Sequence, residues 1–131
     1  MNKKKEISQL ADVKLLVDEF YAKVRQDNLL KDIFEERIGD HWEPHLQTMY
    51  RFWQTLLLDE NTYSGSPSMK HMNLPIHQLH FDRWLALFHA TIDQYFIGEK
   101  AAEAKVRAER MAMMFQSKLA SYRSTGNQGL I

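Results

Sequence analysis

Six histidines give this chain its widest chemical reach, because a neutral imidazole can ligate a metal and a well-placed one can move a proton. His41 and His45 stand four apart, the spacing of the zinc helix H-E-x-x-H, but Trp42 takes the place of that motif's general base and Pro44 intervenes. A zinc protease is excluded on those two residues. His77 and His80, three apart, could share a helix face, yet no third nitrogen or carboxylate ligand stands near them, and they read as a solvated pair. His89 carries no discriminating signal. His71 differs in its surroundings: the stretch from Asn61 to Phe81 contains no Asp or Glu, and Pro67 and Pro75 confine the histidine to a helix of one or two turns. A cofactor bearing carboxylates would be welcome there, although an isolated helical histidine is more often a surface or structural residue.

The elements that must position these residues are helices. Only five glycines and three prolines punctuate the chain, and the stretches between them follow helical periodicity far better than alternation. Leu10, Val13, Val17, Phe20, Tyr21 and Val24 form a first stripe, with Asp12 placed to cap its helix. A shorter segment around Leu29, Leu30, Ile33 and Phe34 stops at Gly39. Asp40 can cap the next helix, which takes Pro44 in its first turn and turns Trp42, His45, Leu46, Met49, Phe52, Trp53, Leu56 and Leu57 to one broad face. A long helix from about Gln78 carries Phe81, Trp84, Leu85, Phe88, Ile92 and Tyr95 and closes at Gly98, and a last one from about Glu99 to Arg123 repeats Ala104, Ala108, Met111, Phe115, Leu119 and Tyr122. The expectation is one all-α domain over residues 1–131, with residues 1–9 and 124–131 fraying.

Composition removes several function classes. The chain has no cysteine, which excludes thiolate nucleophiles, cysteine zinc sites, iron–sulfur clusters and covalent haem attachment. Seventeen basic residues balance seventeen acidic ones, so no basic excess points to nucleic acid. Lys3-Lys4-Lys5 is followed by a mixed stretch and not by an apolar core, so it does not read as a secretory signal, and a cytoplasmic location is expected. No apolar run approaches the roughly 20 residues of a membrane helix.

Haem held by one neutral imidazole needs a histidine on one side, a flat apolar slot, and a few polar groups opposite for a bound gas. The chain has candidates for all three, and here a resemblance becomes specific. Phe20-Tyr21-Ala22-Lys23-Val24-Arg25, Ile33-Phe34, Trp42-Glu43-Pro44-His45-Leu46, Phe52-Trp53, Tyr63-Ser64-Gly65-Ser66-Pro67, Lys70-His71-Met72-Asn73-Leu74-Pro75 and Phe81-Asp82-Arg83-Trp84-Leu85-Ala86-Leu87-Phe88, in this order and spacing, resemble the group III truncated haemoglobins of bacteria. The ordered set carries the likeness; the double-glycine motifs of the other truncated groups are missing, as in group III.

The resemblance implies a truncated globin, a short helical sandwich around b-type haem. It makes His71 the proximal iron ligand, Tyr21 and Trp84 distal hydrogen-bond donors, and His45 a distal histidine that governs ligand access. Phe34, Met49, Phe52, Leu74 and Phe81 would line the slot. Beside this, Tyr21 and Trp84 are large apolar bodies with polar tips, the kind of side chain that usually finds a partner when buried; as lone aromatics at helical spacing they would read as ordinary core. No carboxylate stands near His71 to push electron density onto iron, so its N–H is expected to bond a carbonyl around Pro67 or Ser68, as in a globin.

The implied function is binding of oxygen and nitric oxide, with carbon monoxide as a further ligand, at five-coordinate iron. Strong distal hydrogen bonding favours slow oxygen release over bulk transport, and nitric oxide dioxygenation, supplied with electrons by a reductase, fits that better. Weak peroxidase activity, with His45 as acid or base, and a non-haem helical interaction module are the alternatives.

Overall fold

The structure, a computed structural model, describes residues 3–63 and 76–124. The described residues form five helices: α1 (Leu10–Gln26), α2 (Lys31–Ile38), α3 (Trp42–Leu58), α4 (Gln78–Tyr95) and α5 (Glu99–Ser124). The short helix expected around His71, and with it Pro67, Leu74 and Pro75, lies outside the described residues. Helix α1 packs against α2, α3 and α4, and α4 against α5, so the stripes of α1 and α4 face each other at the centre.

Each stripe buries the residues its periodicity selects. Val13, Val17, Phe20, Tyr21 and Val24 of α1 are buried, as are Phe81, Phe88 and Ile92 of α4 and Ala104, Ala108, Phe115 and Leu119 of α5. Small alanines let α5 approach closely, while the gaps between α1, α3 and α4 are filled by rings. Phe88 lies against Trp53 at 5.0 Å and Trp84 at 5.8 Å between centroids, both stacked, and meets Phe20 edge-on at 5.2 Å. Burying a side chain such as Phe88 contributes about 1.5–3 kcal/mol.

The helix ends differ from expectation in three places. Asp12 is not the cap of α1 but its third residue; Gln9 caps, and the buried Asp12 carboxylate accepts the backbone N–H groups of Ser8 (3.0 Å) and Gln9 (3.2 Å) and pairs with Lys5 at 2.8 Å. Asp40 does not cap α3. His41 does so, and Asp40 is an exposed partner of the His41 ring at 3.1 Å. Helix α4 ends at Tyr95, short of Gly98, because Phe96 and Ile97 turn extended to pair with the N-terminal segment: Lys5 donates to the Tyr95 carbonyl, and Ile97 donates to that of Lys5.

Of the residues 1–9 expected to fray, that pairing holds the chain in place from Lys5 onward. Lys5 bridges Phe96, and Ile7 is buried in the main core. Gly98 serves the junction twice. Its φ of +98° suits glycine, and a Cβ there would lie 2.7 Å from the Glu6 carboxylate. The expected C-terminal fraying falls beyond residue 124, outside the described residues.

At the α1–α2 corner, the Asp27 carboxylate accepts the N–H groups of Leu29 (3.0 Å) and Leu30 (3.1 Å) and also the Arg83 guanidinium of α4 (2.6 Å). One side chain thus fixes α2 against both α1 and α4. This matters because α2 supplies one wall of the cavity described next.

Candidate functional site

Between the helices lies a cavity with about 720 Å³ of atom-free space, its mouth included. Phe20 and Tyr21 reach it from α1, Leu30 and Phe34 from the α2 side, and Met49, Phe52 and Trp53 from α3. Ile76, His80, Phe81 and Trp84 close it from α4 and the residues before it, and Met111 and Phe115 from α5. The lining is apolar and aromatic apart from the Tyr21 hydroxyl, the His80 imidazole and two indole N–H groups.

Of the residues expected to line a haem slot, Phe34, Met49, Phe52 and Phe81 meet at this cavity. Leu74, and the expected iron ligand His71, lie outside the described residues. The two expected donors, Tyr21 and Trp84, stand on the same walls from different helices. His45 does not line the cavity; it sits half-buried behind Tyr21, with the two ring centroids 5.1 Å apart.

Tyr21 is caged by rings. Phe20 (4.9 Å), Phe34 (6.4 Å), Trp42 (5.8 Å) and His45 (5.1 Å) all meet it edge to face. Burial pushes its phenol far above the ordinary value, since a phenolate would lose its hydration in this apolar setting. The phenol thus keeps its proton well beyond neutral pH. Trp84 is half-buried, stacked on Phe88 and edge-on to Phe20 at 5.4 Å, which fixes its ring plane at the cavity wall.

Trp42 and His80 are among the residues at the site that the sequence reading did not assign to it. Trp42 was given no role at the site, yet it is buried against both Tyr21 and His45 and is held from outside. The Arg25 guanidinium lies 4.4 Å above its ring, and its indole N–H donates to Glu35 at 3.1 Å. The i, i+3 spacing of Trp42 and His45 was the available signal. His80 was read as one of a solvated pair with His77. His77 is exposed, but His80 is half-buried on the cavity wall, because α4 begins at the cavity and its third residue turns inward.

The chemistry of these walls fits a haem: they offer an apolar aromatic slot with a phenol and a stacked indole at its side. A chelated bare metal ion does not, for the described residues contain no cluster of three or more His, Asp or Glu that could hold one. His41 in particular is exposed on the outside of α3 and makes no chelate with His45. None of the described helices is long and apolar enough to cross a membrane.

Comparison with known proteins agrees with the geometry. The family model of bacterial-like globins matches residues 6–118. A group 3 truncated hemoglobin from Campylobacter jejuni is 36% identical over 111 residues, spanning 82% of this chain and 87% of that protein. The crystal structure of a group III truncated hemoglobin from the same organism superposes with a TM-score of 0.82 at 34% identity, covering 89% of this chain and 95% of that one. The chain belongs to the bacterial-like globin family, and within it to the group III truncated haemoglobins.

Proposed function

We propose that this globin binds oxygen and nitric oxide at the five-coordinate iron of a b-type haem, releases oxygen slowly, and serves nitric oxide and oxygen chemistry, not bulk oxygen transport. Haem-based binding of small gases follows from the family itself. The haem supplies an iron with one open position for a diatomic ligand. The observation that carries the finer reading is the buried Tyr21 phenol, caged by rings on a largely apolar wall.

Tyr21 donates its O–H toward a polar ligand, and a donor in dry surroundings acts far more strongly than one in water. Trp84 adds an N–H from a ring that cannot turn away without breaking its stack on Phe88. His45 buttresses Tyr21 and controls access. His71, by its place in the family pattern, would ligate the iron. Phe34, Met49, Phe52 and Phe81 exclude water. Nitric oxide and oxygen combine with one electron to give nitrate, so turnover requires an electron-donating reductase as partner.

The test is the absorption spectrum of the ferrous protein after haem supplementation, with and without carbon monoxide. A five-coordinate ferrous spectrum that shifts with carbon monoxide is expected. His71→Ala should lose stable haem, and His71→Gly with added imidazole should regain the spectrum. A chain that shows no Soret band after supplementation would be a non-haem helical module, and the proposal would fall.

A further inference from the structure

The cavity has an apolar body but one histidine at its rim that the gas chemistry does not use. His80 is the third residue of α4 and lines the cavity beside Phe81. Its Nδ1 accepts the backbone N–H of His77 at 3.0 Å. A backbone N–H can only donate, so Nδ1 must carry the lone pair, and in the neutral ring the proton resides on Nε2. That assignment decides what the ring can do. Iron ligation through Nε2 would require the proton to move to Nδ1, where it would face the His77 N–H and break the contact that closes the helix end. Donation from Nε2–H requires no change at all.

We propose that His80 donates Nε2–H to a carboxylate on the edge of the tetrapyrrole, and so anchors the cofactor's acidic edge at the start of α4. The inference rests on the haem reading above. No lysine or arginine is among the described lining residues, and His80 is the one among them with an imidazole N–H to offer an anion. The first turn of α4 holds no acidic residue, and the N-terminal end of this 18-residue helix adds a favourable field for an anion. The nearest carboxylate on the helix, Asp82, is exposed and accepts the Gln78 amide at 2.7 Å. An acidic edge placed at His80 therefore meets a donor. Placed among the phenyl rings, it would meet none.

The experiment follows the transfer of ferric protohaem, and separately of its dimethyl ester, from the protein to an excess of a haem-scavenging apoprotein. His80→Gln keeps an acceptor at the third helical position for the His77 N–H, so the helix end stays closed. His80→Glu keeps it too but sets a carboxylate against the cofactor's own. Protohaem should leave His80→Gln about tenfold faster than wild type, and His80→Glu faster still. The diester should leave all three proteins at similar rates, and the ferrous spectrum should not change. Equal acceleration for both pigments would reduce His80 to a helix cap and overturn the proposal. Loss of the five-coordinate ferrous spectrum in His80→Gln would make it an iron ligand, with the same result. Wild-type protein that takes up neither pigment would refute the haem reading itself, an outcome distinct from both.

Discussion

The His45 imidazole stands edge to face against the Tyr21 phenol, centroids 5.1 Å apart and ring planes 84° apart, while only Tyr21 touches the cavity. The two residues therefore divide the work. On the proposed reading Tyr21 meets the ligand, and His45 meets Tyr21.

Tyr21→Phe removes the hydroxyl and keeps the ring in its cage, so packing should survive and the loss should fall on a polar ligand. A hydrogen bond to a partly charged group contributes about 1.5–3 kcal/mol, which implies oxygen dissociation roughly ten- to a hundredfold faster. Carbon monoxide, less polar when bound, should respond much less. Stopped-flow displacement measures both, and equal changes for the two gases would indicate a steric role.

Trp84→Phe removes an N–H from a wall residue whose ring is held by stacking, and it should also speed oxygen dissociation. His45→Leu leaves the cavity lining intact but frees one side of Tyr21, and it should act chiefly on association. Flash photolysis separates the two rates. The division fails if His45→Leu controls release and Trp84→Phe leaves it unchanged.

Trp42 is clamped from the surface, by Arg25 over its ring and Glu35 on its N–H. An exposed cation–π contact contributes about 0.5–1 kcal/mol, so Arg25→Ala combined with Glu35→Ala should accelerate carbon monoxide rebinding about two- to fivefold. Haem retention should stay unchanged. A variant with wild-type rebinding would show that the clamp on Trp42, which packs on His45, has no part in controlling access.

Asp12 links acid stability to the start of α1. Burial would raise its carboxyl, but the Lys5 ammonium and the N–H groups of Ser8 and Gln9 outweigh that and hold it below the ordinary 3.8. The stabilisation is therefore complete at neutral pH, persists down to that ordinary value, and disappears as the pH falls through the lowered one. Asp12→Asn should cost about 1.5–3 kcal/mol at pH 7 and flatten the acid limb of the stability curve, measured by urea unfolding across pH. An unchanged acid limb would assign the effect to other carboxylates.

The helices were legible because each buries a stripe of matching period; Val13, Phe20, Phe88 and Leu119 declare themselves by spacing alone. The ends were less so. Asp12 and Asp40 are both good caps in isolation, and the true caps, Gln9 and His41, were chosen by where the preceding chain is held. At the site, Tyr21 and Trp84 were visible through a family pattern, whereas Met111 and Phe115 read as an ordinary core stripe. Whether a stripe residue faces a neighbour or a void depends on how helices cross, and a single helix does not record it. His80 was misread for the same reason: its partner is a backbone N–H one turn away and its environment comes from other elements.

The bridge between Lys5 and Phe96 joins the start of the chain to the α4–α5 junction, across most of the sequence. Closing so long a loop is rewarded only after α1, α4 and α5 have docked, so the bridge belongs to the last part of the folding reaction. Its value is then kinetic: a chain lacking residues 1–6 should refold at nearly the intact rate but unfold faster, with the whole loss in stability carried by the unfolding limb of the chevron. The N-terminal segment is in that sense a latch on the time for which the cavity stays assembled.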